Sequence, residues 1–296
     1  MKKLGVIGYG HAGSQHANAI GKGGIVAVCD IDFLKATEAA NQFECKTYTS
    51  ADEMLLAERN LDAVVISTPN GLHAEHCIKA LQAGVDVICE TPVCLTTAAI
   101  WQIIETAKFC RKNVWVIDRN FSNQAVLLEN ELATGGTITG FYLQHRYRQQ
   151  ANDWRNSMFP GGGILYTQLH SLFNMLIKLL GPVETAKGFV DSTETYFELE
   201  GEVNLLQAAG VVGTINWSDK NSTDQLQIFT ENKTFLVDLN RTAGDARVGN
   251  TEELGGKNIY QSILGMPLTA LSENLLTIGA IEKIYKNIRP ALSSNN

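Results

Sequence analysis

Apolar residues fall in short unbroken runs through the first 120 positions: Leu4 to Ile7, Ile25 to Cys29, Leu61 to Ser67, Val85 to Cys89 and Val114 to Ile117. Runs of this length suit strands buried on both faces. Between them the pattern turns amphipathic. An alanine-rich stretch follows Gly13, and helices are predicted near 33–43, 50–58, 71–83 and 96–112. Ser50-Ala51-Asp52-Glu53 has the form of a capping box at one helix start. Strictly alternating strand and helix signals predict a parallel sheet covered by helices on both faces. Near residue 137 the pattern changes. Long β-type segments are predicted at 137–148, 183–190, 196–217 and 224–239, with a Thr-Glu-Asn-Lys turn at 230–233. One helix is predicted at 164–180 and another at 267–288, and only 293–296 read as disordered. The fold class expected is therefore α/β. Residues 1–120 would form a doubly wound Rossmann domain, and 121–296 a substrate-binding and oligomerisation α+β domain with an open, mostly antiparallel sheet.

Composition narrows the functions open to such a chain. Its 296 residues are 45% hydrophobic with a net charge of −7. An acidic chain without a basic cluster argues against a nucleic-acid partner. No apolar stretch approaches the roughly 20 residues that span a bilayer, which argues against a membrane partner. Met1-Lys2-Lys3 resembles a signal sequence only superficially, because Gly5, Gly8 and Gly10 interrupt what would be its apolar region. All six cysteines lie in the first 110 residues, without CxxC pairs or metal-ligand spacing. They read as reduced structural thiols in a cytoplasmic protein, with no metal site.

The chemistry concentrates after the first run. Gly8-Tyr9-Gly10-His11-Ala12-Gly13 joins it to a helix, and the second run ends at Asp30. This is the order of a dinucleotide site. Gly8 permits the turn, Gly10 lets the backbone approach a pyrophosphate, and Gly13 lets the helix pack close to the strand. A carboxylate at position 30 would accept bonds from a ribose diol and repel a 2′-phosphate. Ile31 and Asp32 offer no cation to offset that repulsion, so NAD is the cofactor expected. The competing reading is that Asp30 only caps the next turn.

Three ordered motifs carry a resemblance. They are the Gly8 to Gly13 turn with His16, then Ser67-Thr68-Pro69-Asn70-Gly71-Leu72-His73, then Ala80 to Pro92 with Glu90-Thr91-Pro92 at its end. Gly161-Gly162-Gly163-Ile164-Leu165 adds a fourth, weaker match. The chain resembles the glucose–fructose oxidoreductase / inositol dehydrogenase (Gfo/Idh/MocA) family. That resemblance implies a Rossmann domain followed by an open-faced sheet, which carries the substrate and often an oligomer interface, so a homo-oligomer is expected. It implies NAD(P)-linked oxidation or reduction of sugars and inositols. It places Asn70 and His73 near the nicotinamide, with Thr68, Pro69, Glu90, His11 and Ala12 in the cofactor set. Physically, Asn70 can cap a helix starting near 71. His76 lacks motif support and reads as a surface residue.

Two departures bear on mechanism. The family's lysine is Thr91 here, and a threonine hydroxyl is no base near pH 7. The Thr91–Pro92 bond is also one that can be cis. In the helix after Gly163, the family's Asp/Asn and His positions fall on Thr167 and Ser171, while the histidine, His170, comes one residue early. On one continuous helix, Leu165, Leu169, Leu172, Leu176 and Leu179 form an apolar stripe opposite Thr167, Ser171, Asn174 and Lys178. His170 flanks that polar stripe, and a shortened loop before the helix would restore it to the family's place. His170 is the candidate base, with Tyr166 next. Arg146, Arg148, Trp154 and Arg155 precede the glycine run and could hold an anionic substrate group and stack on a sugar or base. The function expected is NAD-dependent oxidation of a secondary sugar hydroxyl, such as C3 of a nucleotide-linked amino sugar like UDP-N-acetylglucosamine. The competing class is a catalytically inactive NAD-binding sensor or regulator.

Overall fold

The computed structural model describes residues 2–117, 128–129, 131–146, 154–156, 159–191, 200–221, 223–239 and 268–290. Arg148 and residues 293–296 lie outside this set. The chain divides into two compact units, Met1–Arg119 with Glu252–Leu275, and Asn120–Thr251 with Leu276–Asn296.

In the first unit, β1 (Leu4–Ile7), β2 (Ile25–Cys29), β3 (Lys46–Tyr48), β4 (Ala63–Ile66), β5 (Asp86–Glu90) and β6 (Val114–Ile117) are parallel. They alternate with α1 (His11–Ile20), α2 (Phe33–Phe43), α3 (Ala51–Ala57), α4 (Asn70–Gln82) and α5 (Thr97–Cys110). β1 and β4 are buried at every position, as strands covered on both faces must be. Ser50 caps α3 by accepting the Glu53 N–H, so the capping box forms on that side.

With β13 (Leu268–Ala270) at its edge, the sheet order is β13-β6-β5-β4-β1-β2-β3. Strand order reverses between β1 and β4, and the crevice beyond their carboxyl ends is where doubly wound sheets bind ligands. β3 and β13 are short strands that the apolar pattern does not announce. β13 runs antiparallel to β6.

The second unit holds β7 (Ile138–Arg146), β8 (Val183–Asp191), β9 (Glu200–Gln207), β10 (Val212–Ser218), β11 (Gln225–Thr230), β12 (Thr234–Asp238) and β14 (Ile288–Pro290). Their order is β12-β11-β7-β10-β9-β8-β14. β7 is parallel to β10 and β14 to β8, and the other pairs are antiparallel. Period-two alternation separates two faces. Phe141, Leu143, Val203, Leu205, Ile215, Trp217, Leu226 and Ile228 form a buried inner row. Tyr142, Gln144, Asn204, Thr214, Asn216 and Gln227 point the other way and meet solvent to varying degrees. Trp217 is wholly buried, and Gly201 accommodates it, since a Cβ there would overlap the indole ring.

The expected helix over 164–180 is two helices, α6 (Ile164–Thr167) and α7 (His170–Leu180), broken at Gln168 and Leu169. The closing helix, α8, runs Leu271–Asn287, and the division between the units falls within it. Lys283 of α8 donates to the Val183 carbonyl at 2.7 Å, fixing the helix beside β8.

Candidate cofactor and substrate site

The turn after β1 is tight for reasons internal to the protein at two of its glycines. Gly8 has φ +89°, and a Cβ there would lie 2.8 Å from the Ser67 backbone. A Cβ on Gly13 would overlap the Gly8 carbonyl oxygen. Gly10 differs, because a Cβ on it would meet nothing within 4 Å. The protein itself does not require glycine at position 10. A ligand lying against that backbone would. α1 begins at His11 with no side-chain cap, and its first helical bond is Ser14 N–H to Gly10 O at 2.9 Å. The N–H groups of His11, Ala12 and Gly13 therefore precede the hydrogen-bonded ladder, at the positive end of the helix dipole. These features fit a pyrophosphate.

Asp30 is pinned at the end of β2. Tyr9 N–H donates to its Oδ2 at 2.6 Å and Asp32 N–H to its Oδ1 at 2.9 Å. It thus holds both the glycine turn and the start of α2, and each oxygen keeps lone pairs for ribose hydroxyls. Lys35, which the sequence reading passed over, lines a cleft of about 420 Å³ with Tyr9, Gly10, His11 and Glu38. Its signal was its place in the first turn of α2, close to Asp30.

The loop from β4 to α4 departs from expectation. α4 starts at Asn70, with Pro69 in the capping position and no side-chain cap. Asn70 is buried within the helix rather than capping it. His73 is 1% exposed and lies between two carbonyl oxygens, with Nδ1 2.8 Å from that of Pro92 and Nε2 2.6 Å from that of Thr68, and a neutral ring donates to one of them at a time. It ties the end of β4 to the turn after β5 instead of presenting a free ring. Burial pushes its pKa down, opposed by those two carbonyls and by Glu90. His76 is half-buried, with Nδ1 3.3 Å from the Thr68 hydroxyl, so it is not a simple surface residue.

Glu90 closes the same frame from the other side. Its Oε1 lies 2.7 Å from Nε2 of His16, which projects from α1 and is fully buried. Thr91 follows, half-buried, and the Thr91–Pro92 bond is cis. These contacts fasten α1, the start of α4 and the turn after β5 to one another. The cysteines are free thiols, and burial with the neighbouring Asp30 pushes Cys29 up to about 11, which suits a structural role.

In the second unit, Gly162 and Gly163 have φ of +90° and +82° and lead into α6. Tyr166 is buried and stacks on Tyr285 with ring centroids 6.0 Å apart. Thr167 turns its hydroxyl back onto the Gly163 carbonyl at 2.8 Å. Because the helix breaks after Thr167, rotation of 100° per residue does not carry through to α7. The middle of the predicted polar stripe is interior, while Thr167 before it is partly accessible and Lys178 at its end is exposed. His170, Ser171 and Asn174 are all buried, and Asn174 accepts from the Thr277 hydroxyl at 3.3 Å. Across 161–177 only Thr167 and Gln168 are partly accessible. Gln168 had no place in the sequence reading. It faces His145 Nε2 at 3.2 Å, and His145 Nδ1 lies 2.7 Å from Asp224 Oδ1. The turn Trp154–Asn156 touches α6, and the Arg155 guanidinium lies 4.8 Å from the Trp154 ring centroid. Arg146 is exposed at the end of β7. Among the described residues no cluster of three or more His, Cys, Asp or Glu could hold a metal, and no helix is long and apolar enough to cross a membrane.

Comparison with known proteins agrees with this geometry. Residues 2–117 match the family described as an oxidoreductase family with an NAD-binding Rossmann fold, Gfo/Idh/MocA. An uncharacterized oxidoreductase of Streptococcus pneumoniae is 30% identical over 196 residues, covering 62% of this chain and 52% of that protein. The chain thus spans about half the length of that relative. The 2,7-anhydro-N-acetylneuraminate hydratase of Escherichia coli is 24% identical over 273 residues, covering 84% of this chain and 71% of the enzyme. Among solved structures, the WlbA dehydrogenase of Bordetella pertussis, crystallised with NADH and UDP-GlcNAcA, superposes with a TM-score of 0.81. That superposition covers 97% of this chain and 96% of WlbA at 22% identity, and shows a shared fold. The glycine turn, the pinned aspartate and the contacts among α1, α4 and the end of β5 all lie within residues 2–117, the stretch that matches the NAD-binding Rossmann fold of the Gfo/Idh/MocA oxidoreductase family.

Proposed function

We propose that the protein is an NAD-dependent dehydrogenase acting on a secondary hydroxyl of a sugar, with a nucleotide-linked hexose or amino sugar oxidised at C3 as the substrate class. The observation that carries the cofactor half is Gly10. It is the glycine of the turn that the protein's own packing does not require, and it lies at an uncapped helix end beside Asp30. The sugar half is supported by the fold shared with WlbA and by arginine and tryptophan beside α6.

NAD, when bound, supplies the hydride acceptor. The chain's own residues manage position and protons. His11, Ala12 and Gly13 would hold the pyrophosphate through their N–H groups, and Asp30 the ribose diol. Thr68, Pro69 and Asn70 would border the nicotinamide, on a loop braced by His73 and by the His16–Glu90 pair. His170, buried beside the partly accessible Thr167 and Gln168, would take the substrate hydroxyl proton, since a neutral imidazole has the right basicity near pH 7 and the Thr91 hydroxyl does not. Tyr166, buried and stacked on Tyr285, ranks below it. Arg146, Arg148 and Arg155 would hold the diphosphate, and Trp154 would stack on a ring. Self-association is proposed through the outward face of the second sheet, where Val212, Leu236 and Phe189 are 57%, 63% and 46% exposed.

The test is NADH formation with purified protein against free and nucleotide-linked sugars. Turnover of a nucleotide-linked sugar supports the reading. Tight NAD binding with no turnover on any sugar would favour a sensor or regulator instead, a reading that Thr91 at the family's lysine position makes worth testing.

A further inference from the structure

We propose that His145, oriented by Asp224, is a positioning residue of the substrate-binding unit: it fixes Gln168 at the break between α6 and α7, and through that break the directions in which Thr167 and His170 project. The inference rests on the proposed dehydrogenase reading and adds residues that no motif pointed to.

His145 is the last member of the inner row of β7, after Phe141 and Leu143, and it pairs in register with Trp217. Its side chain is 12% exposed and that of Asp224 is 17% exposed. The strand end around it is fixed independently. The Asn221 side-chain amide donates to the His145 carbonyl at 2.9 Å and to Asn216 Oδ1 at 3.0 Å. Asp224 stands just ahead of β11, which pairs with β7, so sheet register delivers the carboxylate to the ring.

A carboxylate accepts only, so Nδ1 carries the proton on the Asp224 side. That leaves Nε2 aimed at Gln168. The partner suits either protonation state of the ring. An amide offers its oxygen to an imidazolium and, turned over, its NH₂ to a neutral imidazole. A carboxylate-oriented imidazole with its far nitrogen turned toward accessible side chains is the arrangement used to hold proton-handling groups in register. Here the far nitrogen meets Gln168, which directly follows Thr167 and stands two residues before His170. It also does so where the helical ladder is interrupted. Gln168 and Leu169 N–H both turn back to the Ile164 carbonyl, at 2.9 and 3.1 Å, and α7 starts afresh. The Gln168 side chain adds an anchor to the backbone bonds at this break.

The test combines nitrogen-detected NMR with kinetics. Wild type should show a deshielded ring N–H signal that disappears in His145→Gln and moves upfield or vanishes in Asp224→Asn. Side-chain amide signals of Gln168 should shift in both variants. An unchanged ring signal in Asp224→Asn, or Gln168 signals indifferent to His145→Gln, overturns the proposal. With an active substrate, His145→Gln and Gln168→Ala should lower kcat about 10- to 100-fold, the scale of loss from a misplaced reacting group. NAD affinity should stay unchanged, and Asp224→Glu should restore most of the activity that Asp224→Asn loses. Gln168→Ala, at a partly accessible position, keeps the test open if His145 variants fold poorly, and wild-type kcat in that variant also overturns the idea. A wild type inert toward every sugar defeats the dehydrogenase reading, while the NMR signals still decide the positioning claim.

Discussion

The imidazole of His16, fully buried on α1, meets the carboxylate of Glu90 at the end of β5 at 2.7 Å. This contact ties the middle of α1 to the end of β5 and fixes where the residue after Glu90 can lie. His16→Ala removes one partner from a pair with little solvent to replace it. Loss of such a hydrogen bond costs about 1–3 kcal/mol, to which lost packing adds. A fall in Tm should be accompanied by a rise in the apparent Kd for NAD, measured by differential scanning and titration calorimetry. An unaltered Tm would show that the pair contributes nothing.

Gly10 and Gly13 should separate binding from folding. Gly10→Ala has room for its Cβ and should cost no more than about 1 kcal/mol, the penalty for alanine at an N-cap. It should nevertheless weaken NAD binding at least about tenfold, because the methyl takes the space of the pyrophosphate. Gly13→Ala forces a Cβ into a backbone carbonyl and should destabilise by about 1–3 kcal/mol or more. Equal effects of the two changes on Tm would contradict this division.

Asp30 should govern cofactor choice, with Lys35 as a latent partner. Wild type is expected to bind NAD more tightly than NADP. Asp30→Ala removes the repulsion and should narrow or invert that preference, because Lys35 lines a cleft with Tyr9 and Gly10 of the glycine turn. The double variant Asp30→Ala/Lys35→Ala should lose the gain. Calorimetry with both dinucleotides on all three proteins decides it, and a wild type that prefers NADP would refute the role of Asp30.

His73 should make the first unit acid-sensitive. Its folded pKa is lowered from 6.5 by burial, so the unfolded chain takes up a proton at a pH where the folded one does not. The stability is therefore fully present above pH 6.5 and falls as pH drops through that value toward the folded pKa. His76, lowered for the same reason, adds to the slope. Urea titrations between pH 7.5 and pH 5.5 should show it, with a shallower slope in His73→Gln. A slope unaffected by that change would mean the titration lies elsewhere.

Proton transfer is predicted to reside in the second unit. His170→Asn should reduce kcat by about 10²–10⁴ with little change in NAD affinity, and Thr91→Ala should do far less. A large loss at Thr91 with none at His170 would move the chemistry back to the turn after β5.

Much of the first unit is legible from sequence because burial on both faces leaves continuous apolar runs, and because Gly8, Gly13 and Asp30 have conformational or bonding demands that few residues meet. β3 escapes because Lys46-Thr47-Tyr48 is short and partly exposed, so no apolar run marks it. The helix break at Gln168 escapes for a different reason. Periodicity assumes one unbroken helix, and α7 is buried nearly all round, so its polar residues mark contacts such as Asn174–Thr277 rather than a solvent face. His73 shows how a motif can locate a residue without giving its task. The spacing puts it at the crevice, but only the positions of the Thr68 and Pro92 carbonyls reveal that each ring nitrogen faces an acceptor. Gln168 and His145 are 23 positions apart, and no local pattern links them.

β13 has consequences for the order in which the protein can be made. Leu268–Ala270 hydrogen-bonds along β6, and Thr269 adds a bond to the Val116 carbonyl at 3.3 Å. A ribosome releases β6 about 150 residues before its neighbour exists, at roughly 5–20 residues per second. For that interval the nascent Rossmann sheet carries a bare edge, open to pairing with another chain. A fragment ending near residue 120 would keep that edge permanently and should aggregate, whereas adding a peptide that contains Leu268–Ala270 should rescue it.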